Sequence, residues 1–111
     1  MDILDRDREL IEKILSDYAE ISSSCEEIQA EVIFDRHRDR YLFVEVGWDK
    51  YKRVHDCIIH VEIIDGKIWI QFDGTEEGIA VELTQAGVPK EQIVLGFKPP
   101  HVRPYTDYAI A

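Results

Sequence analysis

The 111-residue chain is one domain's worth: long enough to bury a single core, too short for two domains of typical size. Apolar residues make up 45% and charged residues 32%, a globular composition that excludes a disordered chain. The formal charge of −10 opposes contact with phosphate backbones, which bind through Lys and Arg, and suits a basic protein partner.

Residues 3–21 are predicted to be a helix. Leu10, Ile11, Ile14, Leu15 and Tyr18 recur at spacings that draw one apolar stripe, and Asp2, Asp5 and Asp7 stand near the start, where the helix dipole favours anions. The "SSSC" run at 22–25 should end it, because serine side chains compete for backbone bonds. The N-terminus is charged from its second residue and has no apolar core for a signal peptide, so Cys25 and Cys57 are expected as reduced thiols of a cytoplasmic protein. No apolar run approaches the roughly 20 residues needed to span a bilayer.

Four strands should follow. Ile28, Ala30, Val32 and Phe34 alternate with Gln29 and Glu31; Leu42, Val44, Val46 and Trp48 form one face of the next strand. Its other face carries Tyr41 and Phe43, more apolar than solvent requires. Residues 53–64 and "KIWIQF" are joined by Asp65-Gly66, the pair that favours a two-residue hairpin turn. "GTEEGIAVELTQAG" then reads as a second helix with Ile79, Ala80, Leu83 and Ala86 inward, Gly87 left-handed past its end and Pro89 as a stop. "EQIVLGF" adds a short fifth strand. The proline-bearing tail contains Tyr105, Tyr108 and Ile110, and is expected to lie extended against the domain or a neighbouring subunit. The expected fold is therefore α+β, one domain over 1–111: a helix, a four-stranded antiparallel meander, a second helix, a fifth strand and a tail.

Three groups invite a chemical reading. Asp73, Glu76 and Glu77 follow an apolar strand. Asp73-Gly74 is turn chemistry, Asp73 or Thr75 can cap the second helix, and Asp73 with Glu76 has capping-box spacing. A divalent-cation site there would need further carboxylates from elsewhere, and capping is the preferred reading. His55, Cys57 and His60 resemble a zinc set, yet strict alternation places His60 on the opposite face from the other two. Cys57 is expected as a small core group; a Cys–His nucleophile from Cys57 with His55 or His101 lacks an orienting third residue. Arg36, Arg38, Arg40 and Lys50, Lys52, Arg53 form two basic clusters interleaved with Tyr41, Trp48 and Tyr51. In a meander they fall at opposite ends of one strand and make no single nucleic-acid stripe. No phosphate-cradling loop, dinucleotide fingerprint or nucleophile elbow occurs. Neither a catalytic residue, a metal nor a cofactor is assigned. Tyr41, Phe43 and Trp69, on positions alternating with the apparent core, are taken with Tyr105 and Tyr108 as candidate interface residues, and a symmetric homo-oligomer is the simplest cover for them.

Taken together, "DGKIWIQ", "DGTE-x-GIA" and "GVPK-x-x-IVLGF", with "VGWDKYKRVHDCIIH" and "AEVIFDRHRDRYLFVEVGW" before them, resemble the XisI family, the fdxN-element excision controlling factors of cyanobacteria, over essentially the whole chain. The resemblance implies a non-enzymatic regulator of programmed DNA excision, carried out by a separate site-specific recombinase during heterocyst differentiation. It also implies a companion, XisH, that resembles nucleases in fold. It supplies no catalytic residues.

Overall fold

The computed structural model describes residues 3–22 and 27–111. Helix α1 (Ile3–Ser22) is followed by strands β1 (Ile28–Asp35), β2 (Arg40–Asp49), β3 (Lys52–Ile64) and β4 (Lys67–Asp73). Helix α2 (Ile79–Gln85) then leads to the short β5 (Ile93–Leu95) and a tail holding one 3-10 turn, Arg103–Tyr105. The five strands lie in chain order. The first four form the expected antiparallel meander; β5 runs parallel to β4, because α2 carries the chain back across the sheet before β5 begins. Of the residues expected to end α1, those at 23–25 lie outside the described region, as does Asp2.

Both helices cover the same face of the sheet. Ile11, Ile14 and Leu15 from α1 and Ile79, Ala80 and Leu83 from α2 bury against Ile59, Val61, Ile68, Ile70 and Ile93. Ala86, expected inward, is exposed. Tyr41 and Phe43 belong to this same core, 0% and 1% exposed. Their register partners Phe34 and Val32 extend the covered face onto β1. The expected facing of β2 is thus reversed: Leu42, Val44, Val46 and Trp48 point away from the helices. Tyr41 closes a polar bracket at the edge of this layer. Its hydroxyl donates to Asp39 Oδ1 at 3.0 Å, and Arg8 on α1 grips the same carboxylate at 2.8 and 3.2 Å. The Arg8 guanidinium holds the Asp39 carboxyl below its ordinary range, and burial pushes the Tyr41 phenol well above its own.

Local chemistry fixes the connections. Asp65 and Gly66 both take positive φ, 51° and 81°, the two-residue turn that matches strand twist. After α2, the Val88 amide bonds to the Leu83 carbonyl and the Gly87 amide to that of Thr84, both at 3.0 Å. This is the Schellman pairing that closes a helix, with Val88 buried beside it. The tail does lie against the domain. The Ala109 amide donates to the Ile93 carbonyl at 2.9 Å, Lys67 bonds the Ala111 carbonyl oxygen, and Arg103 stacks over Trp69 at 5.1 Å. Among the described residues, the far end of the β2–β3 hairpin has no further strand beside it. β1 reaches β2 only as far as the Trp48 amide, which donates to the Glu27 carbonyl at 3.0 Å, and β4 reaches only Ile59 on β3, so Asp49 to Cys57 form a projecting arm. The radius of gyration, 14.6 Å, exceeds the roughly 13 Å of a compact chain this long.

Candidate functional site

The carboxylates after β4 serve the backbone. Asp73 Oδ1 accepts from the Thr75 amide at 2.9 Å and from the Thr75 hydroxyl at 2.6 Å, while Oδ2 accepts from the Ile79 amide at 2.7 Å. Thr75 Oγ1 in turn accepts from the Gly78 amide at 3.1 Å. Asp73 therefore satisfies the first helical amide of α2 from six residues away, and the turn at 73–75 is its scaffold. The capping box with Glu76 does not form. Gly78 takes φ 95°, a conformation that ends the loop only there, so α2 starts at Ile79 and Glu76 lies outside it, exposed with Glu77. Both glutamates rim a cleft of about 530 Å³ shared with Tyr18, Ile21 and Ile58. Burial and the neighbouring Glu82 carboxylate push the Tyr18 phenol up to about 12.

His55, Cys57 and His60 occupy one face, contrary to strict alternation. The ladder between β2 and β3 shifts register at Phe43/Val44, so Val46, Val44 and Leu42 oppose His55, Cys57 and His60 in turn. The bulge adds one residue, Ile58, and reverses the parity beyond it. No group of three His, Cys, Asp or Glu side chains suited to a metal occurs among the described residues. Cys57 is exposed rather than in the core. Its thiol donates to the Ile59 carbonyl at 3.4 Å, and partial burial raises its pKa; a thiol so held is protonated at neutral pH, a poor nucleophile. Cys25 lies outside the described residues.

The two basic clusters stand at opposite ends of β2, as the meander requires. The first is neutralised: Arg36 bonds Glu12 at 2.7 and 2.9 Å, Arg40 meets Glu62 at 2.7 Å, and Arg38 lies 3.9 Å from Asp35. Arg53 of the second stacks on Trp48 at 5.2 Å. Of the expected interface aromatics, Tyr41 and Phe43 are corrected to core residues under α1. Trp69 is half-buried beneath Arg103 of the tail. Tyr108 packs against the core under Lys90, and Tyr105 is 89% exposed.

Sequence reasoning missed Asp7. It was expected at the helix start, yet it sits beyond the first turn and is 2% exposed, with Oδ1 lacking a hydrogen-bond partner. It lines a cavity of about 400 Å³ with Ile3, Leu4, Gly87, Pro89 and Gln92. Burial raises its carboxyl pKa, and Arg6, 3.9 Å away, offsets part of that. A folded-state pKa above the unfolded value favours folding below the unfolded pKa and is a penalty once pH has risen through the folded one. Asp7→Asn should therefore raise the melting temperature at pH 7, and the gain should vanish below about pH 4, where the unfolded carboxyl also protonates. Thermal unfolding followed at both pH values checks it; an equal gain at both would remove the charge as the cause.

The comparisons with known proteins settle the ancestry. A family model described as XisI protein matches residues 1–110. The chain belongs to the XisI family. No curated protein matches it. Two solved structures from Anabaena variabilis ATCC 29413 share the fold. A XisI-like protein is 42% identical with a TM-score of 0.92, over 97% of this chain and 99% of that one. The fdxN element excision controlling factor XisI is 40% identical with a TM-score of 0.86, over 99% of this chain and all of that one. This XisI-family chain has no helix, among its described residues, long and apolar enough to cross a membrane.

Proposed function

We propose that this protein is a non-enzymatic controlling factor for programmed excision of a DNA element, acting through contact with a basic, XisH-like protein while a separate recombinase performs the chemistry. The observation that carries this reading is the likeness, at 40% identity over nearly the whole chain, to a protein named as an excision controlling factor. The charge distribution supports contact with protein rather than with DNA. The chain carries −10, its first arginine cluster is occupied by carboxylates, and its two basic loops are separated by the length of β2. Exposed Glu76 and Glu77 give the rim of the cleft beside α2 an acidic character suited to a basic partner.

The test is co-purification with the XisH-like protein from the same genome. The two should co-elute at low salt, and raising the salt should weaken them as charge steering is screened. Failure to associate at low salt, or retardation of DNA by this chain alone, would sink the reading.

A further inference from the structure

Among the described residues, nothing covers the sheet face turned away from the helices over β1, β2, β3 and the Phe72 end of β4. Ile33, Trp48 and Phe72 are 48, 50 and 49% exposed on it, and Leu42, Val44 and Val46 lie half-buried between them. The tail covers only the β4–β5 end, around Trp69. Contiguous apolar side chains on one sheet face of a small protein mark a contact surface. Its charge identifies the occupant. The register places Glu31, Asp35 and Glu62 on this face with Arg40 and Arg53, a near balance of signs although the chain as a whole carries −10; Lys67, at its β4 margin, is bonded to the tail. A basic partner gains nothing here. A second copy does, because on this nearly balanced face two chains of −10 meet without strongly opposing like charge.

We infer that this face packs against the same face of a second copy, forming a twofold dimer of stacked sheets with the axis near Val44. Val44 is the midpoint of the outward row Arg40, Leu42, Val44, Val46, Trp48. A twofold lying between the sheets and across β2 there sets the Trp48 end of each row over the Arg40 end of the other, an arrangement compatible with an isologous interface. The projecting arm then lies over the partner's sheet rather than in solvent.

Light scattering on the full chain, coupled to size exclusion at micromolar concentration, should give twice the 12.9 kDa chain mass, unchanged by high salt. Val44→Glu should return the single-chain mass with an unchanged circular-dichroism spectrum, while Val81→Glu, on the exposed side of α2, should keep the doubled mass. In Trp69→Phe, where Trp48 is the only tryptophan left, emission should shift to the blue as concentration rises; this reading stands even if Val44→Glu fails to fold. A single-chain mass for the unaltered protein would overturn the inference, as would a folded Val44→Glu that stays doubled, loss of the doubled mass in Val81→Glu alone, or Trp48 emission indifferent to concentration.

Discussion

Phe43→Ala is expected to cost about 4 kcal/mol of folding stability, within the range for truncating a fully buried aromatic ring. Phe43 is 1% exposed, between Val32 on β1 and Ile59 on β3, under the helix layer. Its partners Val32 and Ile59 are held in the ladders on either side and cannot collapse into the space, although the ring also borders the cleft beside Tyr18 and Ile58. Against a total stability on the order of 5–15 kcal/mol, such a loss leaves the fold marginal. Urea unfolding should show a much lower midpoint at an unchanged slope. The neighbouring Val44→Ala is the decisive control. Its side chain points to the open face, so in the monomer it should cost about 1 kcal/mol or less. Were Val44 the costlier of the two, the assignment of faces on β2 would be inverted, and with it the open surface.

That assignment is where the sequence ran out. Each feature fixed by near neighbours was legible: the stripe of α1, the Asp65-Gly66 turn, and the Gly87 closure of α2 followed by Pro89. In each the determining atoms lie within a few residues. The facing of β2 was not legible, because both of its faces are apolar and a period of two says that faces differ, not which one a helix will cover. The answer comes from residues far off in sequence: Arg8 reaching Asp39 across 31 residues, and Tyr41 sharing that carboxylate. The bulge at Ile58 defeated alternation in the same way. It moved His60 beside Cys57 and left no mark in composition. The direction of β5 depends on where α2 deposits the chain. At the candidate site, the composition of residues 73–77 correctly implied capping, but spacing cannot locate the first helical residue, so the Asp73–Glu76 reciprocity was expected five residues too early.

Asp73→Ala should be the most damaging change among the carboxylates of that loop, at about 2 kcal/mol. It removes acceptors from two backbone amides and one hydroxyl at once. A lost helix cap alone costs typically about 1 kcal/mol, and hydrogen bonds to a charged group are worth roughly 1.5–3 kcal/mol each before solvent replaces them. The half-buried setting lets water recover part of the loss, which keeps the total near the lower figure. For a domain of about 100 residues this corresponds to a fall of roughly 8 °C in melting temperature. Glu76→Ala and Glu77→Ala, whose side chains are exposed and outside α2, should each stay within about 0.5 kcal/mol of the unaltered protein. The same melts distinguish a cap from a cation site. If Asp73 serves only the backbone, added magnesium or calcium leaves the melting temperature where it was, and all three variants respond to the ion as the parent does. A stabilisation by either ion that disappears in Asp73→Ala would show the carboxylate reaching past its own chain.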